Sequence, residues 1–143
     1  TLGGTGSVSG LVTVNSGGHV APGASIGTLT LSGGLTLSDG SILDYEVDAG
    51  GTGDKIDITG GTFTGAASAD GVTVNVTLSG TPVGTETFTL IDWSSAAGSS
   101  GVDLADFNLV YSGAGSGASL SIVGGNTLVL SASAPAGTLF KFK

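Results

Sequence analysis

The sequence predicts an all-β fold in which a short β-solenoid continues into an antiparallel β cap. Three observations support this prediction. The apolar residues are mainly Val, Ile and Leu, and a mean hydropathy of +0.44 with only 10% charged residues is atypical of a disordered chain. Apolar and small polar residues alternate over many short runs, which is the period of a strand. Glycine pairs, drawn from 28 glycines in 143 residues, separate these runs as turns.

Residues 1–61 are predicted to form the solenoid coils of a single domain that spans residues 1–143. Two near-copies, TLTLSGG and LTLSDGS, follow each other from residue 28. One coil of such a repeat cannot bury its apolar side alone, so the coils stack and share a core. The strand period predicts that these side chains point inward: Val8, Val12, Val14, Leu29, Leu31, Leu35, Leu37, Leu43, Tyr45, Val47, Ile56 and Ile58.

Residues 62–143 are predicted to contain longer strands and the cap. GVTVNVTLSG, from residue 71, alternates Val72, Val74, Val76 and Leu78 with polar residues. ETFTLIDW, FNLVYSG and ASLSIVGGNTLVLSAS read as further strands with the spacing of an antiparallel meander. The stretch SSAAGSSG, residues 94–101, is predicted to be a loop, and residues 101–107 are predicted to make one helical turn.

The charge distribution excludes several classes of partner. Eleven acidic residues against three lysines and no arginine give a net charge of -8. Nucleic-acid binding needs clustered Lys or Arg, and so does attraction to an anionic membrane surface. No apolar run approaches the ~20 residues that span a bilayer, so we expect no membrane insertion by this chain. The absence of cysteine excludes disulfides and thiolate chemistry.

Residues 2–47 carry a family resemblance. The marks are VTVNSGG from residue 12, APGASIGTLTL from residue 21 and SGGLTLSDGSILDYEV from residue 32. These motifs resemble the autotransporter-associated β-strand repeat of bacterial passenger domains. DKIDITGG, FTLIDW and GGNTLVLS are similar to segments located after that repeat in those proteins and in some exosortase-sorted surface proteins, so the resemblance covers most of residues 2–131. It implies a right-handed parallel β-helix, secreted and displayed on a bacterial cell, and it implies no catalytic residues.

The stretch GGTGDKIDITGG, residues 50–61, has the composition of a ligand-binding loop. A phosphate-binding P-loop is excluded because Lys55 follows an aspartate and a strand, rather than a helix, comes next. Calcium prefers several carboxylate and carbonyl oxygens, and Asp48 and Asp54 flank the glycines, so these two residues are the candidate calcium ligands. The alternative is a glycine turn between two strands. No other metal or cofactor is predicted.

Three other patterns have a chemical and a structural interpretation. Asp44, Glu46 and Asp48 share one strand face and match paired glycosidase carboxylates, but no neighbouring aromatic residue is positioned to stack on a sugar. A solvated face, balanced by Lys55 or by another coil, is the alternative. His19, the sole histidine, lacks the partners of a catalytic triad or zinc site. A flat threonine array typical of ice binding would use Thr13, Thr28, Thr30, Ser32 and Thr36.

The end of the chain, TLFKFK, is predicted to be a strand that pairs with a neighbour. Phe140 and Phe142 share one face of this strand, and Leu139, Lys141 and Lys143 share the other. Such a strand either pairs within its own domain or adds to an open sheet edge of the next subunit. Because a solenoid offers open coils at both ends, we assign Leu139, Phe140, Lys141, Phe142 and Lys143 to self-association.

The sequence as a whole predicts a non-enzymatic structural subunit that is secreted or held at a bacterial cell surface. It would build a fibre, surface layer or passenger stalk as a homo-oligomer or homopolymer, joined head to tail through terminal strands. An adhesin that binds a glycan or a cell surface is the first alternative. A β-helix enzyme that cleaves polysaccharides and an ice-binding protein are further alternatives. No nucleic acid is expected as a partner.

Overall fold

The computed structural model describes residues 1–135, and β-strands form most of it, which confirms the all-β prediction. One 3₁₀ turn, η1, spans Leu104–Asp106 within the predicted helical turn. The strands are β1 Leu2–Gly4, β2 Ser7–Val8, β3 Val12–Val14, β4 His19–Pro22, β5 Thr28–Leu31, β6 Leu35–Leu37, β7 Ser41–Asp48, β8 Thr52–Gly53, β9 Lys55–Ile58, β10 Thr62–Thr64, β11 Val72–Ser79, β12 Thr85–Asp92, β13 Gly98–Ser100, β14 Phe107–Ser112, β15 Gly117–Val123 and β16 Thr127–Ser133.

Successive strands along the chain belong to three sheets in rotation. Sheet A has the order β1-β4-β7-β11-β14, sheet B begins with β2-β5-β9-β12, and sheet C has the order β3-β6-β10-β13; all these neighbours are parallel. We call each set of three strands, one from each sheet, a unit. Unit 1 is β1–β3, unit 2 is β4–β6, unit 3 is β7, β9 and β10, and unit 4 is β11–β13; the short β8, which pairs only with β7, belongs to no unit. Parallel pairing therefore continues beyond residue 61 as far as β14, and the prediction of an antiparallel meander is wrong for FNLVYSG, which forms β14 and pairs in parallel with β11.

Antiparallel pairing is found mainly at the end of sheet B. There β12 pairs with β16, and β16 pairs with β15, so sheet B extends two strands beyond unit 4. The hairpin formed by β15 and β16 lies within the predicted cap, and β15 also contacts β14 and η1. A third, short antiparallel pair joins β7 to β8.

The aliphatic side chains form rows through the interior. Leu2, Val20, Leu43, Val74 and Leu109 are register partners along sheet A. Most of the side chains predicted to point inward are buried, from Val14 through the Leu29–Leu37 and Leu43–Val47 strands to Leu78. Burying one such aliphatic side chain contributes about 1.5–3 kcal/mol, so the shared interior is the main source of stability.

The region predicted to be a loop at residues 94–101 contains a strand. Gly98–Ser100 form β13 and pair in parallel with β10. All three residues are exposed and none carries an apolar side chain, so the sequence offered no periodicity to detect. The backbone of β10 supplies the hydrogen-bond partners that make these residues a strand.

Candidate functional site

The glycines of residues 50–61 shape two turns. Gly50 and Gly51 have φ values of +122° and +96° and connect β7 to β8. The chain then passes through Asp54 into β9, whose Ile56 and Ile58 are fully buried. The region is therefore a tight hairpin followed by a core strand, which agrees with the interpretation as a turn.

Asp54 is a buried structural carboxylate. Its side chain is 1% exposed, and its two oxygens accept hydrogen bonds from the backbone N–H of Gly27 at 2.8 Å and of Glu46 at 2.7 Å. Burial raises the pKa of Asp54 above its ordinary value, and the two backbone N–H groups partly oppose this effect. Through these two hydrogen bonds, Asp54 connects the turn before β5 to the strand β7.

The calcium prediction gains no support from this geometry. Both Asp54 oxygens are engaged by backbone N–H groups, and Asp48 lies in β7, paired with Thr52. Within residues 1–135 there is no group of three or more His, Asp or Glu side chains placed to hold a metal ion. Calcium needs six to eight oxygens, more than this pair supplies.

Tyr45 packs beside Asp54 and carries a hydroxyl that has no hydrogen-bond partner among the described residues. Burial raises the pKa of this phenol well above its ordinary value, and the Asp54 charge adds to the effect. A buried polar group without a partner keeps its desolvation penalty.

We expect Tyr45→Phe to raise the free energy of unfolding by about 1 kcal/mol, because it removes that penalty and retains the ring. Tyr111→Phe is the matched control, since the Tyr111 hydroxyl donates to the carbonyl oxygen of Ala114 at 2.7 Å. The control should lower the free energy of unfolding by about 1 kcal/mol. Urea unfolding of both variants measures the two changes, and equal signs would contradict the prediction.

A chain of polar contacts crosses the outer face of sheet A. Asp44 Oδ2 lies 2.6 Å from His19 Nδ1, and Asp44 Oδ1 accepts a hydrogen bond from Asn75 Nδ2 at 2.8 Å. His19, Asp44 and Asn75 belong to β4, β7 and β11, so the chain connects units 2, 3 and 4. Lys55 does not balance this face, because its Nζ lies 3.9 Å from Asp57 Oδ2 instead.

A small pocket lies beside this polar row. Its volume is about 210 Å³, and its lining includes the loop at residues 22–25, Asp44, Glu46, Asn75 and Thr77. Such a pocket offers oxygen and amide groups to a polar ligand. Among the described residues, the pocket offers no free aromatic ring for a sugar to stack on: Tyr45 contributes to the lining but is only 2% exposed, and Trp93 packs edge-on against Phe63 at 5.0 Å in the core.

The predicted threonine array is divided between two sheets. Thr13 and Thr36 are register partners on sheet C, with Thr64 continuing the row. Thr28 and Thr30 belong to β5 in sheet B, where their partners in β9 are Lys55 and Asp57. The single flat face that ice binding would need is therefore replaced by one narrow row, and the prediction of a single array is wrong.

The end of the stack at unit 1 leaves its apolar side chains uncovered. Leu2, Val8 and Val12 are only half-buried, whereas their register partners in unit 2, Val20, Leu31 and Leu35, are 0% exposed. A depression of about 460 Å³ opens at this end. We call it the open mouth; its apolar lining is Leu2, Val12, Val14 and Val20.

The opposite end of the stack is covered differently. There sheet B extends beyond the other two sheets, and its outermost strand, β15, contacts β14 and η1. The residues assigned to self-association, Leu139, Phe140, Lys141, Phe142 and Lys143, lie outside the described residues. The open mouth was missed by sequence reasoning, because finding it requires knowing which strands lie at the end of all three sheets.

Comparison with known proteins adds no assignment: the chain matches no protein-family model and no curated protein. The resemblance to the autotransporter-associated repeat therefore depends on sequence motifs alone, the most specific of which lie in residues 2–47. In the part of the chain that the structure describes, no helix is both long and apolar enough to cross a membrane.

Proposed function

We propose that the three-sheet stack is a short right-handed parallel β-solenoid with an antiparallel cap formed by β15 and β16. Two features support the proposal. The chain returns to each sheet after every third strand, with parallel pairing from unit to unit. Connections between parallel strands of one sheet are right-handed in nearly all proteins, which favours the hand that the family resemblance also implies.

The function that this architecture supports best is structural: a subunit of a bacterial extracellular fibre, surface layer or passenger stalk. The body is held by shared aliphatic rows and continuous backbone pairing, which resist local opening. Three lysines and no arginine leave few sites for trypsin-like proteases. Both properties suit a protein that acts as a spacer outside the cell.

The observation that carries the proposal is the contrast between the two ends of the stack. One end presents the open mouth and the edges of three parallel strands, whereas at the other end sheet B continues into the hairpin of β15 and β16, and β15 contacts β14 and η1. Exposed sheet edges are templates for pairing with another chain. We therefore propose head-to-tail self-association, with the segment Leu139–Lys143 as the joining strand.

Deletion of residues 138–143 is expected to convert an assembling protein into a monomer. The deletion removes both phenylalanines of the predicted terminal strand and leaves every described residue in place. Negative-stain electron microscopy and light scattering across a concentration series measure the result. If the unchanged chain stays monomeric at all concentrations, that result would contradict the proposed function.

A second candidate function is adhesion through binding of a glycan. The observation in its favour is the polar pocket beside His19, Asp44 and Asn75, which offers several hydrogen-bonding groups. The buried positions of Tyr45 and Trp93 give it less support than self-association has. A glycan array probed with the chain lacking residues 138–143 tests it, with Asp44→Ala as the variant that should lose any signal.

A further inference from the structure

The edges of unit 1 have backbone groups directed away from the stack. In β3 the N–H of Val12 donates to the carbonyl oxygen of Gly34, and the carbonyl oxygen of Val14 accepts from the N–H of Ser38. Because successive residues of a strand direct their N–H and C=O to opposite sides, Thr13 presents both groups to the open edge. No strand among the described residues pairs with β3 on that side.

The side chains next to this edge are apolar on one face and polar on the other. Val12 and Val14 line the open mouth, whereas Thr13 points outward and is exposed. β1 offers a poorer site, because two of its three residues are glycine. β2 has only two residues, and its Val8 does not line the open mouth, so the edge of β3 is the one where an added strand would bury the most apolar surface.

The terminal segment of the chain has the matching pattern. In an extended conformation Phe140 and Phe142 share one face, and Lys141 lies on the other. Placed beside β3, this segment would direct both rings into the open mouth and leave Lys141 beside Thr13 at the surface. Each phenylalanine that leaves water in this way adds buried apolar surface to the contact.

A chain cannot fill its own mouth with this segment. The N–H of Ala134 donates to the carbonyl oxygen of Gly84, which places Ala134 at the level of β16. A strand added outside unit 1 would lie next to β3 and at the same level as a strand outside β2. Counted along sheet B from β16, that level is five strand spacings of ~4.8 Å away, or about 24 Å. The six residues from Ala134 to Phe140 extend over at most about 22 Å, so Phe140 of the same chain does not reach.

We propose that the open mouth at unit 1 receives residues 138–143 of a second copy of this chain, which add a strand to the edge of β3 with Phe140 and Phe142 inserted. This inference depends on the proposed self-association and names the receiving surface for it. Each copy then has one donor and one acceptor, and the contact is heterologous. Such contacts generate an open filament or, where the rotation closes, a ring.

The experiment uses the absence of cysteine from the chain. The full-length double variant Thr13→Cys/Lys141→Cys is assembled, oxidised and analysed on a non-reducing gel. Side chains directly opposite each other on paired strands have Cβ atoms about 4.5–5.5 Å apart, close enough for a disulfide after a small adjustment. We expect a ladder of dimers, trimers and higher species that collapses on reduction.

The matched control is Thr13→Cys/Val83→Cys, because Val83 is 82% exposed in the turn between β11 and β12 and reports random collisions. It should give no ladder beyond a dimer. Assembly by the unchanged chain without a ladder in the Lys141 variant would overturn the docking site and leave the proposed function standing. An internal disulfide in a monomeric Lys141 variant would also overturn the docking site, whereas failure of the unchanged chain to assemble would overturn both.

A backbone variant tests strand addition separately from the cysteines. Thr13→Pro removes an N–H that no described residue uses, and Ser7→Pro does the same on the neighbouring edge strand β2. Loss of one interstrand hydrogen bond is expected to raise the concentration for half-assembly about tenfold in the Thr13 variant. Ser7→Pro should leave that concentration unchanged, and equal effects of the two would overturn the choice of β3.

Discussion

Alanine at Gly33 is expected to lower the free energy of unfolding by about 3 kcal/mol, whereas alanine at Gly10 should change it by less than about 0.5 kcal/mol. The two glycines occupy the same turn, between sheets B and C, in adjacent units. A Cβ on Gly33 would overlap the backbone carbonyl group of Gly10, which belongs to unit 1. A Cβ on Gly10 would meet nothing within 4 Å, because no described unit lies beyond it.

The same stacking continues one unit further along. A Cβ on Gly61 would overlap the carbonyl group of Gly33, and Gly61 also has a φ of +64°, which disfavours any side chain. The turns of units 1, 2 and 3 are thus in direct backbone contact. An added methyl group in such a stack forces one of the two contacting turns to move. The displacement then spreads to the strands that this turn connects.

Urea unfolding followed by the fluorescence of Trp93 measures these changes. Trp93 is the sole tryptophan and is 4% exposed, so its emission reports opening of the core. Gly10→Ala is the matched control, and both variants are compared at a concentration where the chain is monomeric. Equal loss of stability at Gly10 and Gly33 would contradict the stacking explanation and point to backbone entropy instead.

Strand positions and buried faces could be predicted from the sequence because they depend on a local period. Alternation identified Leu43, Tyr45 and Val47 as inward and Asp44 and Glu46 as outward, and the structure agrees. The segment ASLSIVGGNTLVLSAS was predicted to be antiparallel strands, and β15 and β16 pair in this way. Each of these predictions needs only residues that are close together along the chain.

Pairing between strands that are distant along the chain could not be predicted in the same way. The contact of His19 with Asp44 joins residues 25 positions apart and depends on the register between β4 and β7. Gly98–Ser100 have no period at all, and the threonine row divides according to which sheet each strand enters. Asp54 was noticed as an acid near glycines, but its burial results from the turn before β5, which the alternation does not encode.

Replacement of Asp54 by alanine is expected to lower the free energy of unfolding by about 3 kcal/mol at neutral pH. The carboxylate accepts two backbone hydrogen bonds, from Gly27 in the turn before β5 and from Glu46 in β7, and alanine leaves both N–H groups without this partner. Asp57→Ala is the matched control. Asp57 lies three residues away on the outer face of β9, and its ion pair with Lys55 at 3.9 Å contributes less than about 1 kcal/mol.

The stability difference between the unchanged chain and Asp54→Ala should also depend on pH. Because burial raises the pKa of Asp54 in the folded state, the proton-linked part of its stabilisation is fully present at a pH below its ordinary value of 3.8 and is lost as the pH rises through the raised pKa. The hydrogen bonds from Gly27 and Glu46 account for the stabilisation that remains at neutral pH. The difference should therefore be larger at pH 3 than at pH 7. The pKa of Asp39 is lowered, mainly by a hydrogen bond from the Ser68 hydroxyl, so Asp39 has the opposite effect on stability as the pH falls. Because Asp39 is present in both proteins, its effect cancels in the difference between them. Urea titrations of both proteins across this range measure the difference, and a difference that shrinks on acidification would show that the two backbone N–H groups outweigh burial at Asp54.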